Sequence, residues 1–146
     1  YSSAASDVYK RQGEYIQSPV AEKLGVQLID EAFDVCERAG ITLLNTRQEE
    51  WETVKYVSTV SNPLHFPSMY QDISKNRQTE VDYINGYIYD LGLKYHYEAK
   101  THDFLRNLVH LAEFAGTFDV DSYMKSVLER DKQNAVKTPE EHVAQA

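Results

Sequence analysis

The sequence is poor in several residue types, and each shortage excludes a class of protein. A single cysteine, Cys36, cannot form an internal disulfide, which fits a reducing compartment. No run approaches the roughly 20 apolar residues that a membrane-spanning helix needs, and no basic segment followed by an apolar run marks a secretory signal. Glycine and proline are few, as in an ordinary globular domain. We therefore expect a cytoplasmic protein without membrane contact.

Positive charge is scarce as well. The 146 residues include 15 Lys and Arg against 23 Asp and Glu, a net charge of −8, and no basic cluster stands out. Nucleic-acid binding requires clustered Lys and Arg, so the sequence argues against a nucleic-acid partner. The length is that of one domain, large enough to bury a core.

What the sequence does contain is helical periodicity. Ser18 can cap a helix that begins at Pro19 and stops at Gly40, and a second helix is predicted over 47–59. The apolar residues that recur on these two helices are Val20, Leu24, Leu28, Ala32, Val35, Cys36, Trp51, Val54, Tyr56 and Val57. Cys36 on such a face is interpreted as a core residue rather than a reactive thiol.

Further helices follow in the second half. A short helix is predicted over 68–74, and a helix after Thr79 has Asp82 placed to complete a capping box. The residues able to cap the last two helices are Thr101 and Asp119 or Asp121. The predicted apolar faces comprise Ile84, Tyr87, Ile88, Leu91, Tyr95, Phe104, Leu105, Leu108, Leu111, Ala112, Ala115, Val120, Met124, Val127 and Leu128. No segment alternates as a strand does, so the predicted fold class is all-α, a compact multi-helix domain.

The two ends of the sequence differ from its middle. Residues 1–12 show no helical or strand period and resemble translated adaptor sequence, which predicts a non-native or disordered leader; a flexible natural terminus is the alternative. Beyond about residue 131 the chain turns polar, and a disordered tail is predicted over 131–146. The helical domain is therefore predicted over 13–130.

Two motifs, 67–73 (PSMYQDI) and 80–86 (EVDYING), each stand at a predicted helix start. A helix start carries unpaired N–H groups and a partial positive charge, both of which favour an anion. Ser68 could bind a substrate carboxylate or only cap its own helix. Glu80 could serve a reaction or only complement the dipole of its helix. From the residue pattern alone, the structural alternative is the commoner one for each.

The histidines do not form a metal-binding pattern. His96, His102 and His110 are not spaced i, i+4, and no cysteine or carboxylate set joins them. His110 and Glu113 are an i, i+3 pair, but a di-metal bundle requires that motif from two helices plus two further carboxylates. No metal site is predicted, and the 11 tyrosines are interpreted as packing residues.

With Gly13-Glu14-Tyr15 and Pro19 upstream, the two motifs resemble the C-terminal helical domain of the ketopantoate reductase (2-dehydropantoate 2-reductase) family. The resemblance runs from about residue 13 to 114, and the sequence departs from the family pattern after Gly116. It implies a reductase that transfers a hydride from NADPH to ketopantoate, giving pantoate for pantothenate and coenzyme A synthesis, or to a related 2-oxo acid. The family's site lies between this domain and an N-terminal Rossmann domain. Neither that domain nor the family's general-acid lysine has a match in this sequence.

Carried over residue by residue, the resemblance implies that Ser68 binds the substrate. It also implies that Glu80 supports catalysis and faces the cofactor and the cleft. His65 stands where many members have an asparagine near the substrate, which leaves its role in substrate binding to be tested. We therefore expect Ser68 and Glu80 to be accessible neighbours across one cleft.

Two functions are compatible with these motifs. The first is the substrate-binding and dimerisation half of the reductase, inactive alone, whose partners are the Rossmann domain and a second copy in a homodimer. The alternative is a stand-alone helical interaction module with a reductase-like fold and no catalysis. The first predicts a contiguous exposed apolar patch larger than the few hundred Å² typical of monomers, whereas the second predicts a uniformly polar surface.

Overall fold

The computed structural model describes residues 12–61 and 68–136. These ranges contain helices and no strand. The helices are α1 (Gln12–Tyr15), α2 (Pro19–Arg38), α3 (Arg47–Tyr56), α4 (Ser68–Ser74), α5 (Tyr87–Lys94), α6 (Lys100–Thr117) and α7 (Val120–Val136), with π-helical turns at Val57–Ser61 and Asp82–Gly86. The prediction of an all-α fold is confirmed.

The chain divides into two compact units, Tyr1–Gly116 and Thr117–Ala146. The first unit ends at the residue after which the sequence departs from the family pattern. The sequence instead predicts one helical domain that extends to residue 130. Residues 1–11, which make up nearly all of the predicted leader, lie outside the described residues.

The second unit is built on α7. Asp119 caps this helix, because its carboxylate accepts from the Ser122 backbone N–H at 3.0 Å and from the Ser122 hydroxyl at 2.6 Å. The helix continues through Val136, past the predicted start of the tail at residue 131. Lys132, Gln133 and Ala135 in this stretch are good helix formers, and polarity alone does not end a helix. Residues 137–146 lie outside the described part of the chain.

In the first unit, α2 packs against α3 and α5. Two glycines allow these close approaches. A Cβ on Gly25 would overlap the ring of Trp51, and a Cβ on Gly92 would lie 3.0 Å from Val35 Cγ2. Trp51 is 3% exposed and Val35 is completely buried. The core of the unit therefore lies along α2, where both interfaces meet.

Charged side chains tie the same elements together at the surface. From the start of α3, Arg47 donates to Asp34 on α2 at 2.7 Å and also reaches Asp30 and Glu37. Tyr97, which follows α5, donates its hydroxyl to the other oxygen of Asp34 at 2.8 Å. The hydrogen bond from Arg47 lowers the pKa of Asp34, whereas burial and the Asp34 carboxylate raise the pKa of Tyr97 to about 12.

The π-helical turn Asp82–Gly86 changes which residues face the core. The predicted apolar face includes Ile84 and Tyr87, but these side chains are 49% and 59% exposed, so this part of the prediction is wrong. A π turn takes an extra residue for each hydrogen-bonded loop, which rotates the following residues about the helix axis. Val81 and Asn85 are buried instead.

The segment around the π-helical turn after α3 also differs from the prediction. Tyr56, the last residue of α3, and Val57 were predicted to pack but are exposed, and Ser58 is buried. Among the described residues, no helix is long and apolar enough to cross a membrane.

Candidate functional site

Both predicted site residues of the described chain are accessible. Ser68 is the first residue of α4 and is exposed, and Glu80 is exposed just before the π-helical turn. His65, the third residue of the prediction, lies outside the described residues. The sharing of one cleft by Ser68 and Glu80 stays a prediction.

The Glu80 carboxylate has no hydrogen-bond or ion-pair partner within residues 12–61 and 68–136. A nearby cation in the chain, Arg77, is used elsewhere, since its guanidinium pairs with Asp72 at 2.8 Å. The backbone carbonyl of Glu80 accepts from the Tyr83 N–H at 3.0 Å, which fixes the main chain of the residue. The main chain of Glu80 is thus held while its charge remains free.

The asparagine of the same motif has a structural task. The side chain of Asn85 is buried and its Nδ2 donates to Nδ1 of buried His102 at 3.2 Å. The Nε2 of that histidine donates to the Leu28 backbone carbonyl at 2.9 Å. An amide nitrogen only donates and a carbonyl only accepts, so Nδ1 is the acceptor and Nε2 the donor in this network. It ties the motif to α2 and α6.

The remaining small and charged residues of the motif are also committed to the fold. A Cβ on Gly86 would lie 3.1 Å from Arg106 Cδ, so this glycine leaves room for a side chain of α6. Asp82 pairs with His110 at 2.8 Å. Glu80 is therefore the charged residue of the 80–86 motif that none of the described fold contacts uses.

Two side chains of α6 form a polar network with the residues on either side of Glu80. One oxygen of Glu113 accepts from the Thr79 backbone N–H at 3.0 Å and from the Thr79 hydroxyl at 2.6 Å. The other oxygen contacts His110 Nδ1 at 3.0 Å, and His110 Nε2 contacts Asp82 at 2.8 Å. We refer to Thr79, Asp82, His110 and Glu113 as the α6 network.

The predicted capping box of Thr79 and Asp82 does not form. Thr79 does cap the following turn, because its hydroxyl accepts from the Val81 N–H at 3.3 Å. The acidic residue that binds the Thr79 backbone N–H is Glu113 from another helix, not Asp82. Asp82 is turned instead toward His110, whose imidazole it can pair with as an ion.

The electrostatics of the α6 network follow from these contacts. The hydrogen bonds to Glu113 and then Asp82 raise the pKa of His110. The hydrogen bonds from Thr79 and then His110 lower the pKa of Glu113. Each shift favours the charged form, so the charged pair and the cap of Thr79 support one another.

A second contact holds the chain between the two motifs against the end of α6. Asn76 adopts a left-handed conformation (φ 54°) after α4, which asparagine tolerates better than most residues. Its Oδ1 would lie 2.5 Å from a Cβ on Gly116, so the absence of a side chain there admits the close approach. The connection from Ser68 to Glu80 thus rests on the last turns of α6.

Two grooves of the described chain lie away from Ser68 and Glu80. One, of about 720 Å³, is lined by Phe33, Cys36, Arg47 and the loop before α3. The other, of about 580 Å³, adjoins it along α2. Neither of these two grooves contains Ser68 or Glu80. Cys36 is half-buried in the wall of both grooves.

Large apolar side chains remain exposed beside Glu80 and on α6. Phe104, Leu108 and Leu111 are 66%, 48% and 61% exposed and, at i, i+4 and i+7, share one helix face. Tyr83 is 85% exposed. The contiguous area of this surface stays a prediction.

No group of three or more His, Cys, Asp or Glu in the described ranges could hold a metal ion. The sequence did not connect His110 and Glu113 with Thr79, because their i, i+3 spacing indicates only a possible half of a metal-binding motif. A capping threonine and a distant His-Glu pair carry no sequence signal that joins them.

Comparison with known proteins identifies the family. The family model described as ketopantoate reductase PanE/ApbA C terminal matches residues 6–113. The chain belongs to this family. The match begins inside the predicted leader over 1–12 and ends just before the first structural unit does.

Two curated relatives are similar over part of the chain. The 2-dehydropantoate 2-reductase of Lactococcus lactis subsp. lactis (strain IL1403) is 49% identical over 67 residues, covering 42% of this chain and 22% of that protein. The 2-dehydropantoate 2-reductase of Aquifex aeolicus (strain VF5) is 31% identical over 102 residues, covering 69% of this chain and 33% of that protein. The chain spans a third or less of the length of these relatives.

A solved structure has the same helical fold. The ternary structure of D-mandelate dehydrogenase with NADH and anilino(oxo)acetate is 33% identical, with a TM-score of 0.68, and the similarity covers 74% of this chain and 35% of that one. The fold of this chain is therefore that of the C-terminal helical domain of ketopantoate reductases, and its relatives are oxidoreductases.

Proposed function

We propose that this chain supplies the helical, substrate-binding part of an NADPH-dependent reductase of ketopantoate or a related 2-oxo acid. The observation that carries the proposal is the free carboxylate of Glu80. Glu113 binds the flanking Thr79, and His110 binds Asp82, the other charged residue of the motif. Glu80, by contrast, is exposed and unpartnered among the described residues. A side chain kept out of fold contacts, on a backbone fixed from both sides, is suited to meet a ligand.

In the proposed reaction, the Ser68 hydroxyl donates a hydrogen bond to the carboxylate of the 2-oxo acid. A nicotinamide cofactor, when bound, would supply the hydride for the ketone carbon, and a general acid would supply the proton for the alcohol oxygen. Glu80 positions the substrate and the cofactor. By resemblance the general acid is a lysine, and neither it nor the Gly-rich loop that binds the dinucleotide has a match in this chain.

The charge of the chain supports this division of labour. Cofactor and substrate are both anions, and a net charge of −8 does not attract them. The cationic groups of the site would then belong to the Rossmann domain. The chain alone is expected to show neither reductase turnover nor appreciable NADPH affinity.

The test joins this chain to the N-terminal domain of the Lactococcus lactis relative and follows oxidation of NADPH, with NADH in parallel, in the presence of ketopantoate and other 2-oxo acids. We expect turnover that the chain alone lacks, and a Ser68→Ala variant with a raised KM for the acid. Light scattering on the same fusion tests the expected homodimer. A folded fusion that binds the cofactor but reduces none of the acids would contradict the proposed function.

A further inference from the structure

Two side chains of α6 bind residues on either side of Glu80 in its turn. Glu113 holds Thr79, the residue immediately before Glu80, through both its backbone N–H and its hydroxyl. His110 holds Asp82, two residues after Glu80, at 2.8 Å. The two α6 residues are one helical turn apart and bond to each other at 3.0 Å. The turn that carries Glu80 is therefore held by one connected pair, through the Thr79 backbone N–H before the residue and through the Asp82 side chain after it.

The burial of Glu113 and Thr79 suits this pair to fixing geometry rather than to binding ligand. The Glu113 side chain is only 15% exposed, and Thr79 is buried. Both Glu113 oxygens are occupied by protein donors at 2.6–3.0 Å. Glu113 therefore has little surface left for a substrate, and removing it would leave two Thr79 donors without an acceptor.

We propose that Glu113 and His110 are positioning residues that hold Glu80 in place for the reduction. This inference rests on the proposed function and adds residues that neither motif contains. A displacement of about 1 Å at a reacting group can cost about 100-fold in rate. A side chain that fixes the Glu80 backbone can therefore affect turnover without touching the substrate.

The decisive variant is Glu113→Ala in the fusion with the Lactococcus lactis N-terminal domain. We expect kcat to fall between about 10- and 100-fold, with little change in KM for the 2-oxo acid, since the lost geometry matters in the transition state. Glu113→Gln keeps an oxygen that can accept from Thr79 and should recover most of the lost turnover. His110→Ala leaves Glu113 on Thr79 and should lower kcat in the same direction but less.

The chain provides a matched control for the stability of a helix cap. Glu31 of α2 binds a threonine at a helix start, Thr101 of α6, as Glu113 binds Thr79. Its carboxylate accepts from the Thr101 backbone N–H at 3.0 Å, from the Thr101 hydroxyl and from the His102 N–H at 3.2 Å. Thr101 and Glu113 are about 18 Å apart along the helix axis. Glu31→Ala should therefore lower the melting temperature about as much as Glu113→Ala while leaving kcat near that of the parent fusion.

A double-mutant cycle separates this proposal from the proposed function. If Glu113 acts through Glu80, Glu113→Ala should have no further effect on kcat in a Glu80→Ala background. Equal losses of kcat in Glu31→Ala and Glu113→Ala, or a Glu113→Ala enzyme with parental kcat beside an impaired Glu80→Ala enzyme, would overturn the positioning role alone. A Glu80→Ala enzyme with parental kcat would overturn the site assignment of the proposed function.

A measurement on the 146-residue chain keeps the proposal testable if Glu113→Ala unfolds the fusion. Amide hydrogen exchange at residues 79–82 reports local opening of this turn. His110→Ala should exchange faster there than the parent chain, and Glu113→Gln, which keeps an acceptor for Thr79, should do so to a smaller extent, with no change around Thr101. Unchanged protection at 79–82 in both variants would overturn the proposal.

Discussion

The replacement Gly92→Ala tests the packing that places the Glu80 segment against α2. An alanine Cβ would lie 2.7 Å from the Tyr97 carbonyl oxygen and 3.0 Å from Val35 Cγ2. The carbonyl belongs to a residue that cannot move freely, because the Tyr97 N–H donates to the Gly92 oxygen at 2.9 Å and its hydroxyl donates to Asp34. Val35 has no exposed surface into which it could retreat.

The expected magnitude follows from two opposing effects. Alanine in place of a helical glycine gains about 1 kcal/mol of helix propensity, whereas overpacking a fixed core costs about 1–3 kcal/mol. With a backbone atom as the obstacle, we expect a cost near the upper end and a net loss of about 1–2 kcal/mol. For a unit of this size, that lowers the melting temperature by about 4–8 °C.

Urea unfolding followed by fluorescence of Trp51, the single tryptophan, measures the loss in free energy of unfolding. Gly86→Ala is the matched comparison, because the atom nearest its new Cβ belongs to the flexible stem of Arg106 at 3.1 Å, and it should cost less. A Gly92→Ala chain as stable as the parent would show that the approach of α5 to Val35 and Tyr97 is not as described.

Three further predictions concern stability. The pKa of His110 is raised in the folded chain, so its pairing stabilises the fold below its unfolded pKa of about 6.5, and this stabilisation is lost as the pH rises through the higher folded value. His110→Ala should therefore lower the free energy of unfolding in urea by a few tenths of a kcal/mol at pH 5.5 and by nothing at pH 9. An equal cost at both pH values would contradict this. The pKa of Asp34 is lowered, so its contribution to stability is present above its unfolded value of 3.8 and is lost as the pH falls through the lower folded value. Asp34→Asn should destabilise the chain by about 0.5–1 kcal/mol at neutral pH, the range for a partly exposed pair. An unchanged stability would argue against the Arg47–Asp34–Tyr97 bonds. Deleting residues 1–12 should leave the melting temperature nearly unchanged, because they show no structural period, and a large drop would show that they pack as a native element.

The helices themselves were predictable because their signals are local. Ser18 caps α2 and Pro19 is its first residue. The Val20 backbone N–H, which has no partner within the helix, donates to the Ser18 hydroxyl at 3.2 Å. Thr46 and Glu49 form the capping box of α3 within four residues. The members of such pairs lie within a few residues of each other, so they can be recognised in the sequence without knowledge of the fold.

The errors arose where tertiary structure decides. The π-helical turn Asp82–Gly86 shifts the buried face from Ile84 to Asn85, and apolar periodicity assumes a regular α-helix. Glu113 and Thr79 are 34 residues apart, so no short-range pattern pairs them. The motif made Glu80 a candidate, but only the contacts of its neighbours distinguish it from an ordinary first-turn carboxylate.

The most direct test of the central claim is kcat for the Glu80→Ala variant of the fusion with the Lactococcus lactis N-terminal domain, measured beside its melting temperature. The exposed carboxylate has no fold partner among the described residues. The melting temperature should therefore fall by no more than the loss of a surface charge explains, which is about 0.3–1 kcal/mol of stability. We predict a loss of kcat of about 100-fold. A variant that turns over ketopantoate and the other 2-oxo acids as fast as the parent would contradict the claim that Glu80 is a functional residue.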